Sequence, residues 1–282
     1  MLLTKQQIEC FVERLGQPRA SVLLNSFFQS YRTCLRSEDV ALLYDETYLA
    51  RIGNHPTDRL VRGRYKIHIY NRYSYEYLLP RIATDTRLLD AGCGDGDFAL
   101  AVAHSGAAEV VGVDFDGKAI ELAESKRIAS ECRNCHFLRG DVSVLELSGP
   151  FDYCVLNDVV EHLSDEELML LLDRLRKLLR HGGEVVIHTP NGLALCNDTD
   201  SDRFQRAYKR YLQVFEGWRG HGRTVDQIYY DQVHINIKSF RQLRALLRRS
   251  GYRARVFYDE PSRFPFLSRF STNMLVIGVP VG

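Results

Sequence analysis

Three glycines at alternate positions follow an aspartate in Asp90-Ala91-Gly92-Cys93-Gly94-Asp95-Gly96. Glycine lets a backbone turn tightly and lets a ligand approach it closely. The carboxylate ahead of the glycines suits the ammonium group of an amino-acid ligand. Asp114 comes 24 residues after Asp90 and is suited to accept two hydrogen bonds from ribose hydroxyls. In Gly140-Asp141-Val142 the acid can accept from an adenine amino group, while Val142 and Phe115 can sandwich the ring. Asn157 and Asp158 complete the series. Each residue has a plainer alternative: glycines that serve only close packing, aspartates that end strands in turns, and an asparagine that caps.

For these residues to meet, each must end a strand of one sheet. Short apolar runs predict strands at Arg87–Asp90, Glu109–Asp114, Cys135–Arg139, Phe151–Asn157 and Glu184–His188, with a closing pair at Arg253–Tyr258 and Asn273–Val279. Amphipathic helices fall between them, over Phe98–His104 and Lys118–Glu131. A further helix is opened by the capping box Ser164/Glu167 and stopped by Gly182-Gly183; another is opened by Ser239/Gln242 and ended at Gly251. This alternation predicts an α/β fold built on a doubly wound, mostly parallel sheet of seven strands. The last two strands, joined by a loop too short for a crossover helix, must pair antiparallel. Ligands of such sheets bind at the carboxyl ends of the strands, where the strand order reverses.

Residues 1–83 read as an N-terminal helical extension or lid, and residues 84–282 as the main domain. Thr4 can cap a helix carrying Ile8, Phe11, Val12 and Leu15, and a helical pattern over 64–83 breaks at Pro80. Tyr44, Tyr48 and Arg64 are candidates to close the site from this side. An insertion after the fifth strand, about 191–234, is rich in Tyr, Phe, Arg and Asp, with Tyr208, Arg210, Tyr211, Phe215, Trp218, Arg219, Arg223 and Tyr229 among them. Long insertions over the open end of a sheet commonly form lids. This one could bind an acceptor, pack as a subdomain of its own or serve a homodimer contact.

Among 282 residues, 37 Lys and Arg nearly balance 36 Asp and Glu, which argues against a general nucleic-acid surface. The start carries no basic-then-apolar leader, and no stretch reaches the roughly 18 uninterrupted apolar residues of a membrane span. Seven cysteines without framework spacing fit a reducing, cytoplasmic setting. Cys132 and Cys135 form a lone CxxC without a second pair at ligand spacing, so no metal site is expected.

The run Leu88-Leu89-Asp90-Ala91-Gly92-Cys93-Gly94-Asp95-Gly96 resembles motif I of class I S-adenosylmethionine-dependent methyltransferases, and Asp114, Asp141 and Asn157-Asp158 match the positions of the motifs that follow. Asp158-Val159-Val160-Glu161-His162-Leu163 resembles a segment of the ubiquinone-biosynthesis type of small-molecule O-methyltransferase. His234-Ile235-Asn236 followed by Ser239-Phe240 is similar to another. The resemblance covers about residues 86–282, apart from the insertion. It implies a Rossmann-like sheet with an antiparallel last strand and S-adenosyl-L-methionine as cofactor. It also implies in-line methyl transfer to a hydroxyl or amine of a small molecule, with His162 and His234 as candidate bases and His188 as a third. Arginines of the insertion would suit an anionic acceptor.

Rival readings are a methyltransferase for a protein or RNA, a cofactor-binding regulatory subunit without catalysis, and a dinucleotide-dependent dehydrogenase. Asn157-Asp158-Val159-Val160 lacks the Pro-Pro-aromatic loop used for planar amide or adenine nitrogens. Asp90 would oppose the pyrophosphate of a dinucleotide.

Overall fold

The computed structural model describes residues 5–15, 60–61, 65–66, 71–192, 234, 236–258, 271 and 273–281. Helix α1 is Lys5–Leu15, and β1 (Leu60–Val61) pairs antiparallel with β2 (Tyr65–Lys66). Helix α2 (Asn71–Leu78) runs into a 3₁₀ turn, Leu79–Arg81. The main domain then gives β3 (Arg87–Ala91), α3 (Asp97–His104), β4 (Glu109–Asp114), α4 (Gly117–Ala129), β5 (Cys135–Arg139) and β6 (Phe151–Asn157). After a 3₁₀ turn at Val160–His162 come α5 (Asp165–Leu178), β7 (Leu179–Pro190), α6 (Phe240–Arg249), β8 (Tyr252–Tyr258) and β9 (Asn273–Pro280).

Strand order is β5-β4-β3-β6-β7-β9-β8, with β9 antiparallel to both neighbours and the other pairings parallel. This is the doubly wound sheet that the sequence predicts. The order reverses between β3 and β6, so the ends of those two strands flank the crevice where such sheets bind ligands. One face of the sheet is covered by α5 and α6 through Leu168, Leu172, Leu175, Leu243 and Leu247. The other is covered by α3 and α2 through Phe98, Val102, Tyr75 and Leu78. Helix α2 lies in the stretch read from sequence as an extension, yet Leu78 is fully buried in this second core.

Both expected capping boxes form: Ser164 with Glu167, and Ser239 with Gln242. Two expectations are corrected. The helix expected over 64–83 is confined to Asn71–Leu78 among the described residues, and Tyr65–Lys66 belong to a strand pair. Proline at the head of the following 3₁₀ turn leaves no amide to continue the α-helical ladder.

Gly182 and Gly183 do not stop α5, which ends at Leu178 with Leu179 already extended. They lie inside β7, where its register against β6 shifts between Phe151 and Tyr153. A side chain on Gly183 would meet the Asp152 carbonyl oxygen at 2.9 Å. The glycines thus serve a close strand approach at an irregularity. The aromatic and basic run 204–230, together with Tyr44, Tyr48 and Arg64, lies outside the described residues.

Two substitutions grade these contributions. Leu172→Ala, deep in the core, should lower unfolding free energy by about 2–5 kcal/mol, and Ser164→Ala by about 1 kcal/mol through loss of the capping box. Denaturant titration of both variants against the parent checks the order.

Candidate functional site

The end of β3 turns sharply into α3. Gly92 (φ +85°) and Gly96 (φ +78°) sit in the left-handed region. A Cβ on Gly92 would collide with Val159 Cγ2, and one on Gly96 would lie 2.5 Å from Phe137 Cζ. Any larger residue must therefore displace the segment after β6 or the ring of β5. Gly92 N and Cys93 N both donate to the Val113 carbonyl, tying the loop to β4. On its outer side Lys126 Nζ reaches Asp95 Oδ2 and Asp97 Oδ1, each at 2.6 Å.

Beneath the loop, Asp90 is buried, and neither carboxylate oxygen has a hydrogen-bond partner among the described residues. Burial first, and then the negative charges of Asp114 and Asp95, push its pKa up to about 8. A cation reaching this carboxylate would relieve both causes. Asp114 is held differently: Oδ2 accepts from Gly94 N (2.8 Å) and Oδ1 from Asp116 N (2.9 Å). Burial raises its pKa while these amide bonds lower it. Each oxygen retains acceptor capacity for a further donor.

Gly140 N donates to the Asp114 carbonyl, which joins the end of β5 to that of β4. Asp141 is exposed and accepts from Ser143 N at 2.8 Å, while Val142 is buried. Phe115 is 49% exposed, an unusual position for a ring unless something covers it. Cys93 is buried beside Asp90, and burial drives its thiol pKa well up, so it is not a nucleophile near neutral pH.

The other side of the crevice is built at the ends of β6 and β7. Asn157, the last residue of β6, is buried, and its Oδ1 accepts from Ser74 Oγ of α2 at 2.6 Å. Asp158 adopts a left-handed φ of +53°, and its N donates to the His188 carbonyl. Its Oδ1 stands 2.9 Å from Nδ1 of the fully buried His188, whose ring stacks on Tyr73 with centroids 6.2 Å apart.

Glu161 is buried; Oε2 accepts from Thr189 Oγ1, and Oε1 has no partner among the described residues. Burial, followed by the charge of Asp158, raises its pKa to about 8. His162 and His234 face each other with ring centroids 5.0 Å apart. Ligand atoms of Glu161, His162 and His234 all lie within 4.8 Å of one another, and these donors suit a divalent cation. His234 is brought here because Asn236 N donates to the Glu161 carbonyl and Asn236 Nδ2 to the Leu163 carbonyl.

The residues singled out from sequence thus converge on one end of the sheet. Asp90, Gly92, Gly94 and Asp114 form one side, and Asn157, His162, His188 and His234 the other. Sequence reasoning passed over Ser74 and Tyr73, which sit in no motif, and Lys126, which reads as an ordinary helix-surface cation. It also did not join Glu161 to the two histidines. The cysteine spacing gave no sign of this trio, which combines neighbours in a turn with a histidine 72 residues after His162.

Residues 88–183 match the family model described as a methyltransferase domain. Over those residues the chain is similar to a methyltransferase domain. Among curated proteins the chain is similar to the ribosomal protein L11 methyltransferase of Methylobacillus flagellatus, 30% identical over 135 residues. That match covers 48% of this chain and 38% of that protein. The same enzyme of Dechloromonas aromatica is 30% identical over 148 residues, covering 52% and 43%. The chain therefore spans less than half the length of these curated relatives.

Among solved structures, magnesium protoporphyrin IX methyltransferase (ChlM) from Synechocystis PCC 6803, with bound SAH, aligns with TM-score 0.54 at 16% identity. The alignment covers 86% of this chain and 99% of that one. YcgJ from Bacillus subtilis aligns with TM-score 0.52 at 16% identity, covering 75% and 100%. At these identities the likeness is one of fold: the seven-stranded sheet, mostly parallel with β9 antiparallel, is that of class I methyltransferases.

The Asp90 pKa leads to a direct test. With its carboxyl largely protonated at pH 7 in the free protein, binding of a ligand ammonium should expel a proton. Titration with S-adenosylhomocysteine at pH 7, in buffers of different ionisation enthalpy, should report net proton release that disappears in Asp90→Asn. Buffer-independent heats in the parent protein would mean that Asp90 does not meet the cation.

Proposed function

We propose that the protein is an S-adenosylmethionine-dependent methyltransferase that moves a methyl group to a hydroxyl or amine of a small molecule. The observation that carries the cofactor reading is Asp90, a buried carboxylate with both oxygens unpartnered beneath a glycine loop inside a methyltransferase domain. Asp90 would take the ammonium end of the cofactor. The fixed carboxylate of Asp114 would take the ribose hydroxyls, while Val142 and Phe115 flank the base and Asp141 accepts from its amino group. When bound, S-adenosylmethionine supplies a methyl group made electrophilic by its sulfonium.

The rest is the work of this chain. Much of the acceleration in such a displacement comes from holding the acceptor in line. Gly192 N donates to the Lys238 carbonyl, which brings the described residues on either side of the insertion together. An acceptor held there would lie against His162 and His234. Either histidine could remove a hydroxyl proton as the methyl group transfers. His188, oriented by Asp158, is the third candidate. Glu161, His162 and His234 together have the donor set for a divalent cation, which would lower the pKa of an acceptor hydroxyl.

A second reading, methylation of a macromolecule, is favoured by the names of the curated relatives, which are ribosomal protein L11 methyltransferases. The fraction of those proteins that is matched does not carry their substrate. The sequence after β6 also lacks the Pro-Pro-aromatic loop suited to planar nitrogens.

Calorimetric titration with S-adenosylmethionine tests the first part. Binding should weaken at least about tenfold in Asp114→Ala through loss of hydrogen bonds to a charged group, and unchanged affinity would defeat the cofactor assignment. Turnover with labelled methyl donor, across small-molecule and protein acceptors, tests the second part. With the true acceptor, His162→Ala should lower turnover while cofactor affinity stays constant. A chelator that lowers turnover, with recovery on adding a divalent ion, would select the metal-assisted route over the simple base.

A further inference from the structure

Helix α2 stands outside every motif, yet it touches the crevice at two points: Tyr73 stacks on His188, and Ser74 donates to Asn157. Ser74 is fully buried and Asn157 is 8% exposed. Ser74 Oγ lies 2.6 Å from Asn157 Oδ1, the length of an O–H···O bond and shorter than an N–H···O bond, so the amide oxygen faces Ser74. The NH2 group is then turned away from α2, buried and without a partner among the described residues. A buried donor left unmade is costly, so one in a ligand crevice calls for an acceptor.

Register says which acceptor. Asp90 pairs with Val155 of β6, so Asn157 stands two residues further along and on the same face of the sheet. The crevice therefore presents a bare carboxylate and, one pleat repeat away, a bare donor. An amino-acid ligand has the complementary pair, an ammonium and a carboxylate. Resting on the cofactor reading above, we infer that Ser74 is a positioning residue that turns the Asn157 NH2 toward the carboxylate of the cofactor's amino-acid part. Helix α2 thereby becomes part of the cofactor site.

Decarboxylated S-adenosylmethionine keeps the sulfonium, the ammonium and the nucleoside but lacks the carboxylate, and so isolates this contact. Calorimetry on the full chain should find S-adenosylmethionine bound about tenfold or more tightly than the decarboxylated form, as expected for a hydrogen bond to a charged group. Ser74→Ala should reduce that preference to about threefold or less, and Ser74→Thr, which keeps the hydroxyl, should restore it. Asn157→Ala should abolish it, and the double variant should be no worse than Asn157→Ala alone, since both act on one contact.

Asn157→Asp keeps an oxygen for Ser74 but replaces the donor with a negative charge, so the preference should turn toward the decarboxylated ligand. A Ser74→Ala protein that weakens both ligands equally, or neither, overturns the inference and leaves the cofactor reading intact. Parent protein that binds neither ligand overturns the cofactor reading, and this inference with it.

Discussion

A carboxylate buried at the end of a strand, with neither oxygen hydrogen-bonded, opposes folding, because burial penalises its charged form and nothing local compensates. Asp90 is in that position, and much of the surrounding structure serves to confine the difficulty to this one group. Asp114 is satisfied by the amides of Gly94 and Asp116. Asp116 caps α4 through Lys118 N and Ala119 N. Asp95 and Asp97 share Lys126. Four acids thus crowd the ends of β3 and β4 and each has a donor or a cation, while among the described residues Asp90 has no partner for either oxygen. The strain of burying a carboxyl group here is met by a raised pKa rather than by a local donor.

This arrangement needs rigid neighbours. Gly92 has no room for a side chain because Val159 fills the space, so the glycine loop packs directly against the turn after β6. The same turn is fastened from outside by Asn236, which bonds the Glu161 and Leu163 carbonyls, and by Lys238, paired with Asp165. The cofactor side and the histidine side are therefore one mechanical unit, although they come from segments more than 140 residues apart in sequence. Such close packing transmits small displacements rather than absorbing them, which suits a reaction whose rate depends on alignment.

How much of this was readable from sequence follows from what each feature depends on. Strands β4, β5 and β6 have the predicted bounds because each is a short apolar run closed by a polar residue. The two capping boxes were readable because serine and its partner stand three residues apart. The Gly182-Gly183 pair misled, because a helix stop and a strand irregularity both call for glycine, and only the β6 register distinguishes them. In the site, Asp90 and Asp114 were readable as local patterns. The roles of Ser74 and Glu161 depend on tertiary partners: Asn157 is 83 residues from Ser74, and His234 is 73 from Glu161. No spacing rule reaches that far.

The family match ends at residue 183, and this boundary has physical meaning. Inside it lie the glycine loop, Asp90, Asp114, Asp141 and Asn157, which under the proposed function hold the nucleoside and amino-acid parts of a cofactor, and also Glu161 and His162. Outside it lie His188, His234 and Asn236, which complete the opposite wall, and Tyr73 and Ser74, which reach in from the other end of the chain. The matched region can therefore be shared with methyltransferases of very different acceptors, because little in it needs to touch one. What distinguishes this protein is assembled from its unmatched parts and held to the common core by a few named bonds. Similarity over the core then bears on the methyl donor, and under the proposed function the acceptor meets the wall that His162 and His234 form.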